Sequence, residues 1–522
     1  MRVAIIGAGV AGLTTAKVLL QAGHDVVVFD RTPDVGGVWS RTRRYPGLTT
    51  QSPGVQYAFS DHPMPEGFPE WPTGAQVQEY LASYARRFGV DSRTRLGTVV
   101  EAVRQAGAGW SVDSRTGDTA VSESFDRVVV ANGVFCEPSV PEFPGADDFT
   151  AAGGRVLAGT EFTDVEAARD RHVLVVGYGK TACDIAVPVA EVAASTDVIA
   201  RQLLWKIPRK IAGVVNFKAL LLTRLGEALF RYRRLRGFEK FLHGPADRVR
   251  GGLLDSLGPV SVRQFGLARL GLVPPGRMQD IVKGAIGLAT EGFFEGVADG
   301  TIRVHRDRTI ARLAVDADDR RVAELDDGTR LPADLVVCAT GFTQGVPFLD
   351  GAVQDKLFDE RANFLLYRQI LPFDVPGLYF NGYNSSFFSP LNAEMAALWI
   401  AADLAGALEL PGAAERRAHT EEQIAFMDVA TNTHHCRGTK IIPFSLHHAD
   451  EVLDDLGLQI GRAVRARHWL EPVDPAAYRD VTPALLERLG GPAPGPGADP
   501  ELPSAEPVVD SLPPEPVPVR ND

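Results

Sequence analysis

Two glycine-rich turns are the residues whose types and spacing point most directly to chemistry. They read Gly7-Ala8-Gly9-Val10-Ala11-Gly12 and Gly177-Tyr178-Gly179-Lys180-Thr181-Ala182. In such turns the first glycine permits a tight bend and the second lets backbone amides approach a diphosphate. The third position must be small so that the helix packs closely on the strand. Unpaired N–H groups at the start of the helix then favour a bound anion, so we expect two dinucleotide sites.

The first turn is flanked by the elements that this motif requires. An apolar run at 3–6 precedes it, helical spacing extends from 13 to 20, and a second apolar run at 26–29 ends at Asp30. An acid at this position can accept a hydrogen bond from a ribose hydroxyl. The residues expected to bind the cofactor here are Gly7, Ala8, Gly9, Val10, Ala11, Gly12 and Asp30.

The second turn differs from the first at the end of its second strand, where Arg201 replaces an acid. A guanidinium can pair with a 2′-phosphate, which an aspartate would repel, so the sequence favours NADPH over NADH. Lys180 adds positive charge at the turn, and Lys206 and Arg209 could add more. The alternative is that Arg201 is a hydrated surface charge. The residues expected to bind NADPH are Gly177, Gly179, Lys180, Thr181 and Arg201.

Composition limits the class of protein. The 522 residues are 45% hydrophobic and carry a formal net charge of −12, which argues against a general affinity for nucleic acid. The four cysteines form no Cys-x-x-Cys pair and no disulfide framework, as is typical of a reducing cytoplasm. The first turn follows Met1 too closely to leave room for a signal peptide, and no apolar run is long enough to span a bilayer. We expect a cytoplasmic protein, with oligomerisation left open.

Several further segments carry a family resemblance. They read Gly36-Gly37-Val38-Trp39, Tyr45-Pro46-Gly47-Leu48-Thr49-Thr50-Gln51-Ser52, Phe135-Cys136-Glu137-Pro138 and Ala339-Thr340-Gly341-Phe342. In order and spacing the sequence resembles the flavin-containing monooxygenase family, the class B flavoprotein monooxygenases, and is close to the Baeyer–Villiger monooxygenases. The resemblance extends from Met1 to about Gly406 and is weakest over 205–288.

The resemblance implies an α/β fold with two Rossmann-like dinucleotide-binding domains, in which the NADPH domain is inserted in the FAD domain. Residues 1–165 would form the first part of the FAD domain, and 166–332 the NADPH domain with a helical insertion at about 205–290. Residues 333–485 would complete the FAD domain. The Pro-rich composition from about 486 to 522 predicts a disordered tail.

The resemblance also implies a chemistry. NADPH would reduce FAD, O2 would add at the flavin C4a carbon, and the resulting (hydro)peroxide would give one oxygen atom to a small organic substrate, at nitrogen or sulfur. The alternatives are Baeyer–Villiger oxidation of a ketone, a flavin-dependent oxidoreductase that does not oxygenate, and a flavin-binding regulatory protein.

Individual roles follow from the resemblance at matching positions. Gly37, Val38 and Trp39 would line the flavin, and Val100 would give a backbone contact to adenine. Thr50 and Gln51 would lie near flavin and nicotinamide, with Gln51 the candidate catalytic residue. Thr340 and Gly341 would lie where the two domains are linked, and are also predicted to bind cofactor.

Two positions depart from the family pattern. Gln51 stands where relatives have Asn, or Asp in the Baeyer–Villiger enzymes, so a carboxylate that assists a peroxide is absent. In the FxGxxxH signature Gly154 is present but Ala158 replaces the histidine, and Phe162 replaces a later Tyr or Trp. Both departures count against the Baeyer–Villiger alternative.

Two other clusters are weighed against simpler interpretations. The segments 434–436 and 447–448 are rich in histidine, but their spacing matches no known metal site and we predict no metal. The basic cluster at 231–236 lies near an apolar run, so a weak membrane contact or an acidic partner is left open. A hydrated helix face is the favoured interpretation.

Overall fold

The protein is described by a computed structural model that covers residues 1–283, 287–384, 386–432, 437–439 and 444–490. The predicted disordered tail from 491 onward therefore lies outside the described residues, as does the histidine-rich segment 434–436. Residues 486–488 were assigned to that tail, but they form the end of the helix Val481–Arg488. Leu485 and Leu486 are fully buried in this helix, which explains why the ordered chain extends further than composition suggested.

The first sheet has five parallel strands. Their order is Leu378–Phe380, Arg127–Val130, Arg2–Ile6, Asp25–Phe29 and Thr94–Arg95. The three central strands are apolar runs, as expected when both faces of a parallel sheet are covered. The covering helices are Val10–Gln21, Gly74–Arg87 and Ser389–Leu404.

The second sheet repeats this architecture. Its five parallel strands are, in order, Ile302–Arg306, Ser195–Ala200, His172–Val176, Leu335–Cys338 and Arg155–Ala158. Helix Lys180–Val192 follows the central strand, and helix Phe293–Asp299 packs against it. The two Rossmann-like units that were predicted from the glycine turns are thus present.

Strand pairing moves two of the predicted domain boundaries. Strand Arg155–Ala158 precedes the proposed boundary at 165, and strand Leu335–Cys338 follows the one at 332, yet both belong to the second sheet. Each strand has only four residues, and such short apolar runs do not reveal which sheet they join. The inserted unit therefore begins before Arg155 and ends after Cys338.

The two connections between the units lie side by side. Glu137–Pro138 leads away from the first sheet, Phe342–Thr343 returns from the second, and the two segments pair antiparallel. Ser139 N donates to Gly341 O at 2.9 Å, and the Thr340 hydroxyl donates to Ser139 O. The predicted linking role of the segment 339–341 agrees with this position.

Antiparallel strands and further helices form much of the remaining described chain. One three-stranded sheet consists of Thr98–Ala106, Gly109–Thr116 and Thr119–Phe125, and another of Ile310–Val315, Arg321–Leu325 and Arg330–Pro332. The predicted helical insertion contains Phe217–Leu221, Arg224–Ala228, Phe238–Leu242, Asp247–Gln264 and Leu267–Leu270. The C-terminal helices are Ala413–Thr431, Ser445–Leu456, Arg462–Arg467 and Val481–Arg488.

The basic cluster at 231–236 is largely occupied within the chain. Arg233 pairs with Glu422 and Glu451, and Arg236 pairs with Asp454. These acids belong to the two longest C-terminal helices, so the acidic partner considered above is internal. Among the described residues no helix is long and apolar enough to cross a membrane.

Candidate cofactor sites and active site

The first glycine turn has the backbone geometry that a dinucleotide site requires. Gly7 has φ +114°, and a Cβ there would lie 2.4 Å from the carbonyl oxygen of Ala131. A Cβ on Gly12 would lie 1.8 Å from the oxygen of Gly7. Both positions therefore exclude any side chain, because the clash is with backbone that cannot move aside. The N-terminus of helix Val10–Gln21 is thereby held at the edge of the sheet.

Asp30 fixes the shape of this turn. Its Oδ2 accepts from the backbone N–H of Ala8 at 2.6 Å, and its Oδ1 accepts from the N–H and hydroxyl of Thr32 at 2.8 and 2.6 Å. A carboxylate has about four acceptor positions. Asp30 can thus support the turn and still accept a hydrogen bond from a ribose hydroxyl, as predicted.

A cavity of about 410 Å³ opens beside the first turn, within the range of small-molecule and cofactor sites. The predicted residues that line it are Gly7, Gly9, Val10, Ala11, Asp30, Gly37, Val38, Trp39 and Val100. Gly9 and Gly37 approach so closely that a Cβ on Gly37 would lie 3.2 Å from the Cα of Gly9. Ala8 and Gly12 support the turn from behind, and their predicted cofactor contacts remain proposals. The residues present therefore fit an extended dinucleotide such as FAD.

Other residues in this cavity were missed from the sequence. Tyr57 accepts from Trp39 Nε1 at 3.1 Å, and burial raises the pKa of its phenol to about 12. Asn132 accepts from the hydroxyl of Tyr383 at 2.6 Å. Asn132 lies two residues beyond the strand Arg127–Val130, and ligands bind beyond the carboxyl ends of parallel strands. That rule could have identified Asn132, whereas nothing local marks Tyr57.

The second turn repeats the backbone geometry of the first. Gly177 has φ +125°, and a Cβ there would lie 2.6 Å from the carbonyl oxygen of Ala339. Ala339 follows strand Leu335–Cys338 just as Ala131 follows its own strand, so the two units match around their turns. A Cβ on Gly179 would meet no atom within 4 Å, which leaves this turn open to a ligand.

Two of the positive charges expected at the second turn have hydrogen-bond or ion-pair partners within the protein. Lys180 Nζ lies 2.5 Å from both carboxylate oxygens of Asp184. Lys206 is buried and donates to the carbonyl oxygen of Tyr178 at 2.6 Å. Lys180 and Lys206 thus have partners within the chain, and the prediction that they add positive charge for NADPH remains a proposal.

Arg201 remains available to a bound ligand. It is exposed at the end of strand Ser195–Ala200 and forms no ion pair with any residue that the structure describes. Of the predicted residues at this turn, Thr181 donates to the hydroxyl of Tyr45 at 3.2 Å. Thr181 thus joins the second turn to the first domain, and its contact with NADPH remains a proposal.

Thr50 and Gln51 lie where the two units meet. Gln51 Oε1 accepts from the N–H of Leu288 at 3.4 Å, and the buried hydroxyl of Thr50 has no partner among the described residues. Next to them the hydroxyl of Thr49 accepts from Arg209 at 2.9 Å and lies 3.5 Å from Lys180 Nζ. A buried hydroxyl without a partner at this junction is what an absent polar ligand would leave.

The remaining predicted site residues lie outside the cavity. Thr340 and Gly341 are exposed and do not line it, so their contacts belong to the linking segment. Ala158 is buried, and its N–H donates to Glu161 at 2.8 Å. His447 lies between Glu227 and Glu239. Within the described ranges no group of three or more side chains could hold a metal ion.

Fold and site together define an oxidoreductase with two dinucleotide-binding units. The model of the family described as flavin-binding monooxygenase-like matches residues 1–236. A probable flavin-containing monooxygenase 1 of Arabidopsis thaliana is 27% identical over 92% of this chain and 96% of its own length. Over residues 1–236 the chain is thus similar to the flavin-binding monooxygenase family, and these matches support a flavin monooxygenase enzyme.

Solved structures agree on the fold. S-allyl-L-cysteine S-oxygenase from Allium sativum has a TM-score of 0.57 at 20% identity and covers 94% of this chain and 97% of its own. Cyclohexanone monooxygenase from Rhodococcus sp. Phi1 bound to NADP+ has a TM-score of 0.65 at 17% identity, over 90% and 99% of the two chains. The prediction of FAD agrees with the match to a flavin-binding family, and NADPH at the second turn remains a proposal.

Proposed function

We propose that this flavin monooxygenase uses NADPH and transfers one oxygen atom from O2 to nitrogen or sulfur of a small organic substrate. Bound flavin, once reduced, would supply the oxygen-activating chemistry. The protein's own part is to bind both nucleotides, bring their reactive rings together and exclude water. The observation that carries the proposal is the junction at Thr50 and Gln51, where the first unit meets the second glycine turn.

The residues divide these tasks. The turn at Gly7 and the carboxylate of Asp30 would bind the flavin nucleotide, and Tyr57 and Trp39 would form the wall beside its ring. The turn at Gly177 with Arg201 would bind NADPH through its 2′-phosphate. Gln51 would then donate to or accept from the reacting groups through a neutral amide.

The neutral amide of Gln51 favours oxygenation at nitrogen or sulfur over Baeyer–Villiger oxidation. A carboxylate at this position would place a fixed negative charge beside the activated oxygen, and the chain has none there. An S-oxygenase and a cyclohexanone monooxygenase both share the fold, so the fold alone favours neither reaction.

The test is a coupled assay on the purified protein. We expect bound FAD in the absorption spectrum, bleaching by NADPH without oxygen, and a product heavier by one oxygen atom with an organic sulfide or a tertiary amine. A lactone from a cyclic ketone, with no sulfoxide or N-oxide, would instead support the Baeyer–Villiger reaction. NADPH consumption that yields only hydrogen peroxide with every substrate class would contradict oxygen transfer.

A further inference from the structure

Arg43 is a cation in the wall of the 410 Å³ cavity without a carboxylate partner. Its guanidinium donates from Nη2 to the carbonyl oxygen of Phe135 at 2.7 Å and forms no ion pair with the described residues. Burial, and then the nearby charge of Arg31, lower the pKa of Arg43. Arg43 is half-buried, and partial removal of a guanidinium from water without a paired carboxylate is unfavourable.

Neighbouring charges do not compensate for this cost. Arg31 lies on the same rim and donates to Cys136 O at 3.1 Å, and its ion pair with Glu137 is long at 3.5 Å and half-exposed. The charges of Asp30 and Glu137 act to raise the pKa of Arg43, but they do not offset the lowering by burial and by Arg31. Arg43 therefore places a positive charge in the cavity wall without a paired carboxylate among the described residues.

The position of Arg43 limits which part of a ligand it can meet. Gly9 and Gly37 approach each other closely in the wall of this cavity, and Val10 at the start of helix Val10–Gln21 lines it as well. This is where a diphosphate would pass, because unpaired N–H groups and the helix dipole favour negative charge there. Arg43 lies four residues beyond the short helix Gly37–Trp39 and lines the same cavity.

We propose that Arg43 binds the diphosphate of the flavin nucleotide, as a cationic subsite facing the amides of the Gly7 turn. This inference rests on the proposed binding of FAD in this cavity. A guanidinium presents up to five N–H donors in a rigid plane, and here only one is used. The subsite would favour FAD over riboflavin, which lacks phosphate, and would make the affinity depend on salt.

The experiment measures release of FAD from the holoenzyme on dilution, by the recovery of flavin fluorescence. We expect Arg43→Gln to raise the FAD dissociation constant about ten- to hundredfold, the size of one charge-assisted hydrogen bond. Arg43→Lys should recover part of the affinity. The matched control is Arg41→Gln, since Arg41 is exposed and lies outside the cavity lining.

Competition identifies the contact. ADP and adenosine are each used to displace FAD, and the preference for ADP should fall about tenfold in Arg43→Gln because only ADP carries a diphosphate. An equal loss for both competitors, or no loss of FAD affinity, overturns the inference. If the wild-type protein carries no FAD, the proposed function fails. Direct calorimetry with ADP on the wild type and Arg43→Gln then still tests Arg43.

Discussion

The ammonium of Lys180 lies 2.5 Å from both carboxylate oxygens of Asp184, one helical turn further along helix Lys180–Val192. Asp184 also accepts from the hydroxyl of Thr290 at 2.6 Å. Burial lowers the pKa of Lys180 and raises that of Asp184, so desolvation outweighs their attraction. The pair lies at the start of the helix that follows the second glycine turn. Desolvation of its two charges is unfavourable, and their mutual attraction offsets this only while both partners are present.

Breaking this pair should destabilise the protein. Asp184→Asn leaves a buried ammonium without its counter-charge, which costs about 3 kcal/mol. The double variant Lys180→Met with Asp184→Asn should recover part of that loss, since no uncompensated charge remains. Urea unfolding of both variants measures the difference. A double variant less stable than Asp184→Asn alone would contradict this explanation.

Arg201→Ala should separate the two nicotinamide nucleotides. Loss of a guanidinium that pairs with the 2′-phosphate weakens NADPH binding about tenfold or more, and leaves NADH unchanged. Flavin reduction rates at varied NADPH and NADH concentrations measure both affinities in one variant. Equal losses for the two nucleotides would show that Arg201 does not read the 2′-phosphate.

Gln51→Ala should uncouple NADPH oxidation from oxygen transfer. The variant loses the amide at the junction and its contact with Leu288, so the fraction of NADPH that ends as hydrogen peroxide should rise several-fold. FAD content should be unchanged, because Gln51 does not line the flavin-nucleotide cavity. Peroxide and product are measured together, and unchanged coupling would remove Gln51 from the proposed active site.

Gly12→Ala should abolish FAD binding. The new methyl group would lie 1.8 Å from the oxygen of Gly7, and the turn must distort to accept it. We expect a loss of about 2 kcal/mol or more in stability, as for other overpacked sites. The matched control is Gly252→Ala in helix Asp247–Gln264, where nothing lies within 4 Å. That change should stabilise the helix by about 0.5–1 kcal/mol.

His447 should make stability depend on pH in the alkaline range. Its Nδ1 lies 2.5 Å from Glu227 and its Nε2 2.7 Å from Glu239, which raise its pKa to about 10 against burial. Because the folded pKa lies above the unfolded value of about 6.5, this stabilisation is complete below pH 6.5 and is lost as pH rises to about 10. The aromatic ring of Tyr232 packs against the imidazole of His447, with 4.3 Å between the two ring centroids.

The matched comparison for that prediction is His447→Gln, which does not titrate. The stability difference between wild type and variant, measured by urea unfolding at pH 6.5, 8 and 9.5, should shrink by about 1.4 kcal/mol per pH unit at most. A difference that stays constant over this range would mean that His447 is not charged in the folded protein.

The backbone of both turns could be predicted from the sequence because their glycines are dictated by local sterics. Gly7 and Gly177 each lie so close to a backbone carbonyl that no side chain would fit. Glycine is therefore required at this position in any such turn. The i and i+4 spacing of Lys180 and Asp184 on a helix likewise predicts an ion pair.

Other features depend on contacts that spacing does not reveal. The burial of Lys206 against Tyr178 O and the lining position of Arg43 arise when distant segments pack together. Strand Arg155–Ala158 joins the second sheet only by pairing with Leu335–Cys338, far along the chain. Such relationships require the folded chain, which is why domain boundaries and charge partners were the weakest predictions.

The paired crossing of Glu137–Pro138 and Phe342–Thr343 has a mechanical consequence. Two covalent connections that are hydrogen-bonded to each other cannot lengthen or shear independently. The paired crossing therefore constrains how the unit that carries the second turn can move relative to the first, because a displacement of one connection must be accommodated by the other.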